Sequence, residues 1–216
     1  MRKKTFAAAA LLAAATLTLS ACGSGDDSGS PITVVSEEPG SDKAATVLDQ
    51  PFEKPDLVLT DTRGKAYDLR EETAGKPTLI YFGYTNCPDV CPLTMNNIAV
   101  AKKQLSEAEQ DKLQVVFVTT DPERDTASAL GKWLKGIDPQ AVGLTGDFST
   151  IQAGARSLGI SIDPPKKEKG KIVSTHGTQV IAFSPETDAG YVVYGEEATV
   201  DDYTKDLPKL VTGEAP

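Results

Sequence analysis

The chain is 216 residues long and acidic, with 22 Lys and Arg against 31 Asp and Glu and a formal net charge of −9 at pH 7. That balance excludes a nucleic-acid binder, which needs a basic face to meet phosphates. It equally excludes attachment to anionic lipid headgroups by charge alone; an acidic surface suits a basic partner or simple solubility.

The N-terminus comes first in chain order. Arg2, Lys3 and Lys4 precede an apolar run from Phe6 to Leu19, which closes on Leu19-Ser20-Ala21-Cys22. The run falls short of the roughly 20 apolar residues that a membrane span requires, so residues 1–21 are expected to be a secretory signal. Losing their three basic residues takes the charge from −9 to −12. A cysteine directly after small residues resembles the lipobox of bacterial lipoproteins. That resemblance implies cleavage before Cys22, acylation of Cys22 and a lipid anchor on the extracytoplasmic face of the cell membrane. The plainer alternative is a secretory signal whose cleavage leaves an incidental cysteine. Residues 22–49 are expected to form the lipidated N-terminus and a tether. Gly23 to Val47 is rich in Gly, Ser, Asp, Glu and Pro and has too little apolar surface to order itself.

From residue 50 to 212 the composition is that of one globular domain. Asp56–Thr60 and Ala66–Leu69 read as a hairpin around Asp61-Thr62-Arg63-Gly64, a turn-forming sequence between two apolar runs. Thr78–Tyr84 is a near-continuous apolar strand, the pattern of a strand covered on both faces. Asp89–Leu105 carries Val90, Leu93, Ile98, Ala101 and Leu105 at helical spacing. Leu113–Thr119 is a second buried strand. Thr126–Gly136 follows as a helix, with Asp125 as its N-cap, and Ser149–Leu158 as another. Gln179–Phe183 and Tyr191–Tyr194 pair as strands about a turn at Ser184–Gly190. Val200–Val211 closes the domain as a helix that Pro208 is expected to kink or end early. The fold class is therefore α/β, with a central mixed β-sheet flanked by helices.

The chemistry concentrates in Cys87-Pro-Asp-Val-Cys91-Pro92, where a buried strand runs into a helix. With Cys22 acylated, Cys87 and Cys91 are the two thiols left, four residues apart. So short a loop constrains little of the unfolded chain, which points to chemistry over stapling. Cys87 is expected at the helix N-terminus, where free N–H groups and the dipole favour a thiolate, with Pro88 at the first helical position. Cys91 lies one turn on and faces the same way. Thioredoxin-type redox motifs place two residues between the cysteines; here there are three. Two soft sulfurs at that spacing suit copper(I), and zinc as well, while disulfide closure stays open.

His176, in Val173-Ser-Thr-His-Gly-Thr, is the sole histidine. It reads either as a polar loop residue or as a third ligand, since a neutral imidazole completes such a site. Asp121, in Thr119-Thr-Asp121-Pro-Glu-Arg-Asp125-Thr126, ends a strand at the edge where α/β sheets gather functional groups. A carboxylate there can hold the cysteine loop or orient a ligand imidazole from behind. Tyr81, Phe82 and Trp133 read as core. Lys166, Lys167, Lys169 and Lys171 read as a solvated basic loop, or as a contact for an acidic partner beside His176.

Gly83-Tyr-Thr-Asn-Cys87-Pro-Asp-Val-Cys91-Pro92, then Thr120-Asp121-Pro-Glu-Arg-Asp125-Thr126, then the lone His176 before a strand, together resemble the Sco/SenC family over roughly residues 50–211. The resemblance implies a thioredoxin-like fold with an extra hairpin and a copper(I) or copper(II) ion held by Cys87, Cys91 and His176. It also implies a role in assembling the copper centre of cytochrome c oxidase, by delivering copper or by reducing the receiving cysteines. The implied partners are oxidase subunit II or another copper chaperone, and such a protein turns nothing over. Many members carry Asp-His-Thr where this chain has Thr175-His176-Gly177, which removes a neighbouring carboxylate but not the ligand. The alternative is an extracytoplasmic thiol–disulfide oxidoreductase that uses Cys87 and Cys91 without an obligatory metal. A peroxidase is the weakest reading, because the Thr85–Cys87 surroundings lack the Pro and Thr pattern of a peroxidatic site.

Overall fold

The computed structural model describes residues 44–168 and 171–216; the signal expected over residues 1–21 and the acylation site expected at Cys22 lie outside them. Ten strands are described: β1 Ala45–Glu53, β2 Val58–Asp61, β3 Ala66–Asp68, β4 Thr78–Gly83, β5 Gln114–Thr119, β6 Val142–Thr145, β7 Lys166–Glu168, β8 Lys171–Val173, β9 Val180–Phe183 and β10 Ala189–Tyr194. The helices are α1 Leu69–Glu72, α2 Val90–Lys102, α3 Glu107–Lys112, α4 Ala127–Lys135, α5 Phe148–Ser157 and α6 Val200–Thr212.

Eight strands form one mixed sheet in the order β1-β10-β9-β4-β5-β6-β2-β3, and β7 and β8 form a separate hairpin. β4, β5 and β6 run parallel, and β9 runs antiparallel to β4. Because strand side chains alternate, β4 and β5 feed two cores. Leu79, Tyr81, Val115 and Phe117 face one side, against Met95 and Ile98 of α2, Leu130 of α4 and Leu207 of α6. Ile80, Phe82, Val116 and Val118 face the other, against Ile151 and Ala155 of α5 and Leu69 of α1. Burial on both faces is why these strands read as unbroken apolar runs.

The expected N-terminal hairpin is β2–β3. Its turn is held by Asp61 Oδ1, which accepts from the N–H groups of Arg63 (2.8 Å) and Lys65 (2.9 Å). Gly64 takes the left-handed conformation there, φ +78°, at little steric cost. β2 then pairs with β6, adding the hairpin to the sheet edge.

Four features differ from the sequence reading. The sheet starts at Ala45, so residues 45–49, expected to be tether, lie in β1, and Ala45, Thr46 and Val47 pair with β10. β1 is held by backbone hydrogen bonds along an edge, with Val47 50% exposed, and so carries little apolar signal. β6 is four residues long and includes Gly143. A Cβ on Gly143 would come within 2.5 Å of Leu134 Cδ1, so the glycine lets α4 lie close on the sheet. The basic run is not a plain loop, because Lys166 and Lys167 lie in β7 and Lys171 in β8. Finally, α6 continues through Pro208 to Thr212 and ends on Gly213 at φ +84°. Burial of Tyr203, Leu207, Leu210 and Val211 outweighs the hydrogen bond that proline removes.

Candidate metal centre

Sheet topology brings the predicted residues together. β4 and β5 are parallel, so the segments that leave them, residues 84–89 and 120–126, emerge at the same end of the sheet. β9 is antiparallel to β4, with Val180 opposite Tyr81, so the segment entering β9 arrives at that end too. It carries His176. The N–H of Gly177 donates to the Phe82 carbonyl (3.0 Å), extending the pairing up to the histidine. Sγ of Cys87, Sγ of Cys91 and a ring nitrogen of His176 all lie within 4.8 Å of one another.

The helix begins later than expected. Asp89 is the N-cap of α2 and its carboxylate accepts from the Val90 N–H (2.7 Å). Cys87 and Pro88 therefore precede the helix, in place of opening it. Cys87 Sγ still meets the helix terminus, accepting from the Cys91 N–H (3.4 Å), one of the donors that a first turn leaves without a helical partner. Cys91 is fully buried and Cys87 is 6% exposed. The Cys91 sulfur sits over Gly83, where a Cβ would come within 2.8 Å of it; only a glycine leaves room. The Tyr81 hydroxyl donates to Cys91 Sγ (3.4 Å). Tyr81 was expected to be core alone; it is core and also touches a sulfur.

Burial pushes the Cys91 thiol up to about 12 from its ordinary 9.0, against the opposing effect of the Tyr81 hydrogen bond. The folded metal-free protein thus keeps a proton that the unfolded chain sheds above pH 9. This contribution to stability is complete below pH 9 and is lost as pH rises towards 12, by up to about 1.4 kcal/mol per pH unit. Denaturant unfolding of the reduced protein between pH 7 and about pH 10 measures it. The part of the decline that disappears in Cys91→Ala is the thiol's share, and an identical decline in both proteins refutes it.

His176 is half-buried, and its Nε2 lies 3.9 Å from Cys87 Sγ. Nδ1 lies 2.8 Å from the Gly177 carbonyl oxygen. A carbonyl can only accept, so Nδ1 is the donor, and in the neutral ring the lone pair then falls on Nε2, on the side of the sulfurs. The Tyr84 ring flanks the imidazole at 5.6 Å between centroids. Burial, and next the nearby Cys87, push the Tyr84 phenol up to about 12.

The two carboxylates have roles that differ from the sequence reading. Thr126 is the N-cap of α4. Asp125, expected to be that cap, is fully buried and holds the cysteine loop. It accepts from the Thr85 N–H (2.9 Å), the Thr85 hydroxyl and the Thr119 hydroxyl (2.7 Å). Asp121, expected to hold that loop or the imidazole, makes no hydrogen bond to Cys87, Cys91 or His176. It pairs with Arg124 and accepts from the Ser174 hydroxyl (2.8 Å), to which Arg124 also donates (3.1 Å). The Thr120 hydroxyl donates to the Thr175 carbonyl (2.6 Å). Asp121 and Thr120 thereby position the backbone just before His176. Asp121 Oδ1 has no protein partner among the described residues.

The donor set is two thiol sulfurs and one imidazole nitrogen with its lone pair free. Each comes from a segment fixed by buried hydrogen bonds. Soft sulfur with imidazole fits copper, and zinc less selectively. Among the described residues no helix is long and apolar enough to cross a membrane.

Comparison with known proteins agrees with this geometry. A family model described as SCO1/SenC matches residues 44–212. The chain is 32% identical over 177 residues to Protein SCO1 homolog 1, mitochondrial, of Arabidopsis thaliana, covering 82% of this chain and 50% of that protein. It is 31% identical over 144 residues to a putative copper-binding protein of Stutzerimonas stutzeri, covering 66% of this chain and 70% of that one. The chain spans about half the length of the plant and animal mitochondrial relatives it matches. Among solved structures, Bradyrhizobium japonicum ScoI with copper bound superposes with a TM-score of 0.64 at 29% identity, over 73% of this chain and 99% of that one. The fold is accordingly the thioredoxin-like α/β architecture expected. With the family model covering nearly all of the described residues, the chain belongs to the SCO1/SenC family.

Proposed function

We propose that this protein binds one copper ion through Cys87, Cys91 and His176 and assists assembly of the copper centre of cytochrome c oxidase. It does so by delivering copper, by reducing the receiving cysteines, or by both. The observation that carries the reading is the convergence of two sulfurs and an imidazole nitrogen within 4.8 Å at one end of the sheet. A structural relative with copper bound supports the choice of metal, and family membership supports the oxidase role. The partner in this reading is oxidase subunit II or a second copper chaperone.

In the same reading residues 1–21 are a removed signal and Cys22 carries lipid. The following residues tether the domain to the extracytoplasmic face of the cell membrane until the sheet begins at Ala45. The sequence Leu19-Ser20-Ala21-Cys22 supports this.

When bound, copper supplies one-electron redox chemistry and affinity for thiolates. The chain's own residues do the rest. Asp125 fixes the loop that presents Cys87. The Gly177 carbonyl holds the imidazole proton on Nδ1. Burial keeps Cys91 protonated until a metal displaces the proton. Metal analysis of the purified protein, with copper spectroscopy, tests the proposal. One copper per chain is expected in the wild type, and none is retained by Cys87→Ser or Cys91→Ser. Stoichiometric zinc in place of copper after exposure to both metals overturns it.

A further inference from the structure

Each cysteine sulfur receives a hydrogen bond, but the two donors differ in kind. Cys87 Sγ is met by a backbone N–H, that of Cys91, which no side-chain substitution removes. Cys91 Sγ is met by the Tyr81 hydroxyl, a side-chain donor. Tyr81 reaches it from within the sheet, on the inner side of the site away from solvent. Tyr81 and Cys91 are each no more than 1% exposed. The ring is locked edge-on against Phe117 (5.8 Å between centroids, 63° between planes), and Phe117 packs on Trp133 at 5.0 Å. A Cβ at Gly83 would crowd both the Cys91 sulfur and the Tyr81 ring, at 2.8 and 3.0 Å, so the backbone itself is cut back to let the hydroxyl and the sulfur meet. Tyrosine and phenylalanine fill a buried strand position equally well. The hydroxyl needs a partner when buried, and here the partner is a metal-ligand candidate.

A hydrogen bond onto a thiolate draws negative charge off the sulfur and weakens it as a donor. A weaker sulfur donor favours the lower oxidation state of a bound metal, and hydrogen bonding around a cysteine sulfur is an established lever on copper sites. Resting on the copper-binding reading above, we infer that Tyr81 is the positioning residue of the inner sulfur. Its hydroxyl orients Cys91 Sγ and biases the site towards copper(I). Tyr81 does not touch the metal in this inference; it acts through Cys91.

The test is a comparison of the full protein with its Tyr81→Phe variant, loaded with copper(II), in absorption spectroscopy and redox titration. Tyr81→Phe moves the sulfur-to-copper charge-transfer band to lower energy. It also lowers the preference for copper(I) over copper(II) by about tenfold, which is ~59 mV for a one-electron couple. Tyr194→Phe is the control. It removes another fully buried hydroxyl, one that donates to Asp206 at 3.2 Å, and leaves band and potential where they were, whatever it does to stability. Site-specific 3-fluorotyrosine at position 81 keeps the ring and makes the hydroxyl a stronger donor, so it shifts the band the opposite way. That variant decides the matter even where Tyr81→Phe fails to fold. A band and potential unmoved by either change at position 81 overturn the inference while copper binding stands. A wild-type protein with no copper–thiolate band overturns the proposed function, and this inference with it.

Discussion

Replacing His176 with alanine lowers copper affinity by at least about a hundredfold and leaves thiol–disulfide exchange at Cys87 and Cys91 within a few-fold of wild type. Groups that merely orient a ligand cost roughly 10–100-fold in metal affinity when removed, so the loss of a ligand exceeds that range. The chain holds no second histidine to substitute. The surrounding backbone keeps its anchors, because Gly177 remains bonded to Phe82 and Thr175 to Thr120. A half-buried side chain of this kind contributes little to stability, within about 0.5 kcal/mol. A competition titration against a copper chelator, run beside a disulfide-exchange assay, separates the two readings of the cysteine pair. Copper affinity equal to wild type in the variant removes the main support for a copper carrier and leaves the dithiol oxidoreductase standing.

Asp125→Ala destabilises the metal-free protein by about 3–5 kcal/mol, the combined cost of leaving buried hydrogen-bond donors without their acceptor. The carboxylate accepts three hydrogen bonds from Thr85 and Thr119, and its removal leaves those donors facing the gap. Each buried donor left without an acceptor costs about 1–3 kcal/mol, towards the lower end for a hydroxyl that can rotate. For a chain of this size that corresponds to a melting temperature lower by roughly 10 °C. Asp125→Asn keeps one acceptor oxygen and costs about half as much. Since Thr85 lies two residues before Cys87, both variants also loosen the metal loop and weaken metal binding by roughly 10–100-fold. Chemical denaturation of the three proteins measures the first effect. A loss below about 1 kcal/mol in Asp125→Ala would show that the threonines find other partners and that Asp125 does not hold the loop.

Asp125 also shows how far local patterns reach. In Asp125-Thr-Ala-Ser, either of the first two residues makes an acceptable N-cap, and the sequence offers no means of choosing. The choice is made by Thr85, forty positions earlier, whose N–H and hydroxyl need an acceptor where the strand ends. Once Asp125 turns inward, Thr126 takes the cap by default. Asp121 shows the converse. Its place at a strand end correctly marks it as near the site. Yet its partners are its own neighbour Arg124 and the hydroxyl of Ser174, two residues before His176, and not the ligands. Tyr81 was illegible for a different reason. A tyrosine in an apolar strand carries the same signal whether its hydroxyl meets a carboxylate, a carbonyl or a sulfur.

Chain composition and spacing marked most of the main elements and the pair of sulfurs, whereas His176 as a ligand came from the family resemblance. Double-sided apolar runs give β4 and β5, helical spacing gives α2 and α6, and two sulfurs four residues apart with one imidazole limit the chemistry to soft metals or thiol exchange. These are local properties, readable because side-chain periodicity is set by backbone geometry within a few residues. Strand order and direction are not local. That β9 lies antiparallel against β4, and so delivers His176 to Cys87 across 89 residues of chain, follows from how the whole sheet covers both of its faces. The same packing buries Cys91, aims Tyr81 at its sulfur and turns Asp125 inward. Each of these depends on contacts between segments that carry no mark of one another in the sequence.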